Sequence, residues 1–244
     1  MKTNLVMPMG GAGTRFLNNG FECPKPLIKL KDRPFFRWAC DSVYDHMETE
    51  SLTFVVLKEH IERFGIDREI RSFYPDAGIC VLDSVLNGAV LTAMEGARSI
   101  NNDDPVIFCD CDLMFRCGKM YDYYDNLDEK DDTAGTLLTF ESDEDRYSYV
   151  RLDKYGAALE TAEKKVISRN AITGAYGFRN KDIFLDAAGR YMSECIYKEY
   201  FMSGIYNLLI GEGCHIRAFR CDSMLSFGTP EEYEKAEAAD IKLL

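Results

Sequence analysis

Residues 5–28 hold the densest chemical signal in the chain. An apolar run of strand character, Leu5 to Met9, breaks into a glycine-rich turn at Gly10, Gly11 and Gly13. Arg15 closes that turn, and Lys25 follows one short loop later between Pro24 and Pro26. Glycines let backbone N–H groups crowd round an anion, because no Cβ blocks the approach or the unusual dihedrals. An arginine fork and a lysine point charge supply the rest of what a polyphosphate needs. A glycine turn alone is ordinary strand–turn structure; Arg15 and the Pro24-Lys25-Pro26 segment tip the reading to phosphate. Two better-known glycine signatures do not fit. A P-loop needs Gly-Lys-Ser/Thr after its glycines, where this chain has Thr14-Arg15, and a dinucleotide fingerprint needs a third glycine where Phe16 stands.

A second feature is Val106-Ile107-Phe108-Cys109-Asp110-Cys111-Asp112-Leu113, an apolar strand ending in two carboxylates at i and i+2. That spacing lets both leave the sheet's end from the same side. Hard oxygen ligands there would hold Mg²⁺ against phosphate oxygens, leaving most coordination positions to water and nucleotide. Acidic residues also end strands for solubility alone, so the metal reading leans on the phosphate loop.

The stretches Gly11-Ala12-Gly13-Thr14-Arg15 and Pro24-Lys25-Pro26 resemble the sugar-phosphate nucleotidylyltransferases, whose loop reads roughly Gly-x-Gly-Thr-Arg with Pro-Lys-Pro downstream. The likeness is to the short capsule and cell-surface polysaccharide branch, without a C-terminal acyltransferase or β-helix extension. It implies nucleotide binding by Met9, Gly10, Gly11, Ala12, Gly13 and Thr14, and catalytic roles for Arg15 and Lys25. It implies Mg²⁺ on Asp112, with Asp110 as a second, neighbouring ligand. Asp83-Ser84-Val85-Leu86-Asn87-Gly88-Ala89 resembles the family's base-reading stretch, with Asn87 and Gly88 as the contacts, and is equally a plain helix start. In Glu163-Lys164-Lys165, Lys164 matches the lysine that meets the acceptor's phosphate, although Lys165 stands where proline is usual. Thr173-Gly174-Ala175-Tyr176 resembles the strand lining the substrate pocket, and Glu199 falls near a substrate-contacting glutamate. One departure is plain. Where the family often has a second metal aspartate just before Gly-Thr, this chain reads Ser226-Phe227-Gly228-Thr229, so either fewer side chains hold the metal or Asp222 or Asp110 compensates.

The reaction implied is nucleotidyl transfer. A phosphate or phosphonate oxygen of a small acceptor attacks the α-phosphorus of a nucleoside triphosphate, CTP by preference, and pyrophosphate leaves. The nucleophile is already an anion, so the protein must mainly hold two repelling anions in line while charge builds. Two rival readings stay open. Asp110-Cys111-Asp112 has the Asp-x-Asp form of metal-dependent glycosyltransferases that use nucleotide sugars, and Ser226 gives footing to a catalytically silent nucleotide-binding subunit.

These residues need a scaffold. Strand-like runs fall at Leu5–Met9, Leu52–Lys58, Ile79–Asp83, Val106–Cys111, Gly135–Phe140, Tyr149–Asp153, Ala171–Phe178 and His215–Asp222. Helical patterns lie between them at Pro34–Tyr44, Gly88–Ile100, Lys119–Leu127, Lys181–Glu194 and Tyr200–Gly211. Thr229-Pro230-Glu231-Glu232 starts a last helix with a capping box and proline at its first position. The aromatics at Phe35–Trp38 and Tyr121–Tyr124 read as core. The alternation predicts an α/β fold, a Rossmann-like, mixed but largely parallel sheet flanked by helices, of nucleotide-diphospho-sugar transferase type by the resemblance. Ligands then bind beyond the carboxyl ends of the strands, where the glycine turn and the two aspartates emerge together.

The composition agrees. With 244 residues, 46% of them hydrophobic, the chain is expected to form a single nucleotidyltransferase domain over residues 1–244. Its net charge of −12 argues against a nucleic-acid or anionic-membrane surface. The nine cysteines include no Cys-x-x-Cys pair and read as reduced thiols, not a zinc site or a disulfide framework. The three histidines lie far in sequence from the glycine turn, so a histidine base is not favoured. Nothing approaches the roughly 18 consecutive apolar residues of a membrane span. The expected setting is the cytoplasm, with a homo-oligomer left open.

Overall fold

The apolar runs assemble into a nine-stranded sheet covered by helices, in a computed structural model that describes residues 1–241. In chain order the elements are β1 (Thr3–Pro8), α1 (Thr14–Leu17), a 3-10 turn (Lys25–Leu27), β2 (Lys29–Leu30), β3 (Arg33–Pro34), α2 (Phe35–Tyr44), β4 (Thr49–Leu57), α3 (Lys58–Phe64) and α4 (Ile66–Phe73). Next come β5 (Gly78–Leu82), α5 (Ala89–Ala97), β6 (Val106–Cys109), β7 (Leu113–Arg116), α6 (Gly118–Asp125), β8 (Thr133–Glu141), β9 (Tyr149–Leu152) and β10 (Ala158–Ala162). The remainder is β11 (Asn170–Phe178), α7 (Lys181–Glu194), α8 (Met202–Gly211), β12 (His215–Arg220), β13 (Ser223–Ser226) and α9 (Pro230–Ala238).

The main sheet runs β10-β9-β11-β6-β1-β4-β5, with β8 on β11 and β12 on β8. β1 pairs in parallel with both β4 and β6, and β4 with β5; β11 enters antiparallel to β6. The sheet is therefore parallel on its N-terminal side and mixed beyond, as expected. β1 shows why. Leu5, Val6 and Met7 are all fully buried, because helices cover both faces of a parallel sheet. Leu5 and Met7 join the core under α2, α4 and α6, while Val6 joins the opposite core under α5, α7 and α8. A Cβ on Gly96 would lie 2.5 Å from Val6 Cγ1, so α5 seats directly on β1 only with glycine there.

A third, smaller cluster positions the site. Phe16, Ile28, Leu30, Phe35, Phe227 and Ala236 pack together and draw α1, β2 and α9 into one unit. Phe35 meets Phe227 with ring centroids 4.6 Å apart, so the two ends of the chain share one apolar seam. α9 begins with the expected capping box, Thr229 and Glu232 exchanging bonds and Pro230 opening the helix. Phe35, Phe36 and Tyr124 are core residues as read, whereas Trp38 is half-buried and donates its Nε1–H to the Leu30 carbonyl at 2.9 Å.

Several boundaries differ from the sequence reading. β4 ends at Leu57, and Lys58 opens α3 instead of closing the strand. The short polar helices α3 and α4, split by Gly65 at φ 64°, carry too few apolar residues to announce themselves. The run His215–Asp222 is strand only as far as Arg220; the chain then bends, and β13, which starts at Ser223, pairs with β7 instead of extending the sheet. All nine cysteines are free thiols, and no helix among the described residues is long and apolar enough to cross a membrane.

Candidate active site

The chain leaves β1 toward β4 and β5 on one side, then returns on the other at β6. Such a reversal opens a crevice between the two strand ends, the usual ligand position in an open α/β sheet. The glycine loop after β1 and the Asp110–Asp112 segment after β6 both empty into it. They line a cavity of about 420 Å³ with Thr14, Arg15, Lys25, Glu199 and Gly228. A second lobe of about 170 Å³ lies alongside, walled by Tyr147, Ser148, Thr173, Gly174, Tyr176 and Ser226. Arg15, Asp110, Asp112 and Gly228 line both, so they stand where the two lobes meet.

Within the loop the glycines do separate jobs. Gly13 sits at φ 62°, and a Cβ there would lie 3.3 Å from that of Lys25, so glycine lets the lysine come in beneath the turn. Gly10 faces inward instead: a Cβ would lie 2.7 Å from Leu82 Cδ1, and this residue does not line the cavity. Ala12 is exposed outside the lining, while Met9, Gly11 and Thr14 are part of it. The Arg15 guanidinium has no carboxylate within ion-pair distance among the described residues, which leaves its charge available to the cleft.

Lys25 Nζ pairs with Asp112 Oδ2, and each side chain is about one-fifth to one-quarter exposed, at 24% and 21%. Burial acts to lower the lysine's pKa, but the Asp112 charge and its hydrogen bond to the ammonium, with Asp110 nearby, outweigh it and raise the pKa above its ordinary value. Asp110 goes the other way. Burial, reinforced by the Asp112 charge, pushes its carboxyl up to about 7, with Lys25 only partly offsetting the rise. Its position is fixed by its own N–H, which donates to the Gly174 carbonyl at 2.9 Å. Gly174 lies at φ 105° inside an irregular stretch of β11, and a Cβ there would approach Asp110 Oδ2 to 2.7 Å. The bulged register thus brings β11 hard against the aspartate. Burial holds the Cys111 thiol up at about 12, so it stays protonated beside the two carboxylates.

As a metal seat these residues suit an ion that takes most of its ligands elsewhere. Asp110 and Asp112 line one crevice, and no third His, Cys, Asp or Glu joins them as a closed ligand group among the described residues. Mg²⁺ bound through one or two carboxylates plus phosphates and water fits that donor set. Ser226 pairs across from Leu113 and lines the smaller lobe, offering a hydroxyl where a carboxylate would stand. Asp222, one of the two carboxylates expected to compensate, instead accepts the Gly118 N–H at 2.8 Å at the other end of β13. Asp110 remains.

The other expected residues divide. Glu199 lines the larger lobe and Gly174 the smaller one. Asn87 and Gly88 lie outside both linings at the start of α5; a Cβ on Gly88 would lie 2.5 Å from the Tyr200 backbone, so this glycine serves the packing of the loop that carries Glu199. Lys164, at φ 51°, is exposed and rests its Nζ 4.7 Å from the centre of the Phe201 ring, also outside the lining. Arg146, Tyr147 and Ser148 were not anticipated. They sit in a polar connection between β8 and β9 whose only sequence signal is one tyrosine among charges.

No family model matches the chain. A sequence relative, D-glycero-α-D-manno-heptose 1-phosphate guanylyltransferase of Campylobacter jejuni, is 24% identical over 237 residues, which is 93% of this chain and 96% of the relative. Among solved structures, a nucleoside-diphosphate-sugar pyrophosphorylase from Vibrio cholerae superposes with TM-score 0.81 at 22% identity, covering 96% of this chain and all of that one. The inositol-1-phosphate CTP transferase of T. maritima gives TM-score 0.76 at 12% identity, over 98% and 95% of the two chains. The chain thus has the same Rossmann-like fold as these solved nucleotidyltransferases, and its sequence is similar to that of a sugar-phosphate guanylyltransferase. The resemblance first carried by Gly11–Arg15 and Pro24–Pro26 thus extends over nearly the whole chain.

Proposed function

We propose that this protein joins a nucleoside triphosphate to a phosphorylated small acceptor, a sugar 1-phosphate or a close analogue, and releases pyrophosphate. The observation that carries this reading is the convergence of the Gly11–Arg15 loop, Lys25 and Asp112 on one crevice, with Arg15 unpaired and Lys25 anchored. The loop amides and Arg15 bind the β and γ phosphates, which become the leaving group. Lys25 lines the larger lobe and is paired to Asp112 at the junction, a place from which it offsets charge on the α-phosphate as the acceptor oxygen approaches. Asp112, with Asp110, would hold Mg²⁺, which supplies neutralisation of the triphosphate oxygens. Glu199 and Gly174 line the acceptor's approach, and Lys164 clamps the acceptor's phosphate after leaving Phe201. Asn87 and Gly88 meet the base once nucleotide is bound. No general base is asked for, since the attacking oxygen is already an anion.

CTP is the preferred triphosphate, supported by a structural neighbour that is a CTP transferase; GTP is the competitor, since the Campylobacter relative is a guanylyltransferase. The product would feed surface-polysaccharide synthesis in the cytoplasm, from a single domain spanning residues 1–244. A glycosyltransferase using Asp110-Cys111-Asp112 has no use for the Arg15 and Lys25 arrangement. The deciding experiment is a matrix of four nucleoside triphosphates against sugar 1-phosphates, inositol 1-phosphate and phosphocholine, read by pyrophosphate formation. Formation with any pair supports the reading. Consumption of a nucleotide sugar without pyrophosphate overturns it, and tight nucleotide binding with no turnover favours a silent subunit.

A further inference from the structure

Glu232 makes more bonds than a capping box asks. The box needs one oxygen to accept the Thr229 N–H, and Oε2 does so at 3.0 Å. The same oxygen also accepts the Gly228 N–H at 2.9 Å. Oε1 accepts the Tyr147 hydroxyl at 2.6 Å and faces Arg146 Nη1 at 3.1 Å. The residue is 7% exposed, and a carboxylate buried so deeply is costly unless paired and hydrogen-bonded. Its bonds reach two segments about 80 residues apart in sequence, 146–147 and 228–229.

Both segments face the cleft. Arg146 and Tyr147 wall the smaller lobe. Phe227 donates its N–H to the Asp112 carbonyl at 2.9 Å, and a Cβ on Gly228 would run into the Asp112 carboxylate, so this turn packs directly on the aspartate. Arg146 Nη2 is held by Glu144 at 2.8 Å, which leaves Glu232 as its link to the turn.

We propose that Glu232 is a positioning residue for the smaller lobe, the one lined by Gly174 and read here as the acceptor's, tying the Arg146–Tyr147 wall to the Gly228–Thr229 turn so that wall and aspartate keep one spacing. The proposal rests on the reading of this cleft as a nucleotidyl-transfer site. Glu232 touches no substrate in it; it acts through Arg146, Tyr147 and two backbone amides. Glu232→Gln leaves one acceptor oxygen where the turn amides and the Tyr147 hydroxyl now use two, and removes the charge that holds Arg146.

The test uses the full chain carrying Glu232→Gln, Tyr147→Phe, or Glu234→Gly, the last weakening exposed α9 without touching the cleft. Hydrogen–deuterium exchange of the ligand-free protein should quicken at both 142–148 and 226–229 in Glu232→Gln, and in Glu234→Gly only within α9. In turnover, Glu232→Gln and Tyr147→Phe should each raise the acceptor KM roughly tenfold while the triphosphate KM stays within about twofold. Unchanged exchange at 142–148 in Glu232→Gln, or KM values that rise equally for both substrates, would overturn the proposal. If the wild type forms no pyrophosphate, the functional reading fails, while the exchange experiment still judges the brace.

Discussion

Lys25 Nζ, in the wall of the larger lobe, is ion-paired with Oδ2 of Asp112, which lines both lobes. A lysine and an aspartate from opposite ends of the first 112 residues meet because β1 and β6 are parallel neighbours whose following loops share one crevice. The pair keeps both charges satisfied before ligands arrive. On the proposed reading, phosphate at the lysine and a metal at the carboxylate would each replace one opposite charge by another, so that neither partner would be left buried alone.

Removing the lysine therefore has two consequences. Lys25→Ala should lower pyrophosphate release by about 10²-fold or more, as expected for loss of one preorganised charge at a transferring phosphoryl group. It also leaves Asp112 beside Asp110 without compensation, so apparent affinity for Mg²⁺ should rise even as turnover falls. Steady-state kinetics and a Mn²⁺ titration by electron spin resonance check the two halves. Equal turnover in the variant would refute the role.

Arg15 carries a different expectation, since its guanidinium holds nothing else in place. Arg15→Ala should weaken triphosphate binding and lower turnover while leaving the melting temperature within about 1 °C of wild type, as surface substitutions generally do. Calorimetric binding of a non-hydrolysable triphosphate is the measurement. A large fall in stability with unchanged nucleotide affinity would mean the residue is structural.

Asp110 gives a pH signature. Its pKa rises from an ordinary 3.8 to about 7, so the folded protein holds this proton more tightly than the unfolded chain does. Asp110 thus supports the fold at acid pH, and the support is lost as pH rises from near 4 through 7. Asp110→Asn should raise the melting temperature of metal-free protein at pH 8 by about 2 °C or more, with a smaller gain at pH 5. Adding Mg²⁺ should stabilise wild type more than the variant, which keeps only Asp112. A variant less stable than wild type at pH 8 without metal contradicts this assignment.

Gly174 is a backbone requirement. At φ 105° and with a Cβ only 2.7 Å from Asp110 Oδ2, Gly174→Ala adds strain and displaces the carboxylate. The expected cost is about 1–3 kcal/mol by denaturant titration, with a loss of turnover larger than that stability loss explains. Wild-type stability in the alanine variant would show that the bulge of β11 relaxes freely.

Much of this was legible in the sequence. Leu5–Met9 reads as a buried parallel strand because apolar residues run without alternation, and the Gly10–Arg15 turn follows from glycine spacing. The capping box at Thr229 and Glu232 is a local code and holds as read. What stayed hidden depends on long-range partners. Glu232 looks like a cap in sequence, and only the folded chain brings Tyr147 and Arg146 to its other oxygen. Asp222 reads as a spare carboxylate near Ser226, but strand geometry carries it to the opposite end of β13, where Gly118 claims it. Lys164 matches a motif, yet it takes a left-handed backbone and its side chain lies out on Phe201.

The central claim is that the glycine loop grips a triphosphate tail and gives it up as pyrophosphate. The direct measurement is pyrophosphate formation by the full chain with Mg²⁺, each triphosphate in turn and a panel of phosphorylated acceptors, run beside Lys25→Ala. The expected result is pyrophosphate only when triphosphate and acceptor are both present, and nearly none from the variant. Pyrophosphate at equal rates from the variant, or none from wild type with any pairing, would contradict it.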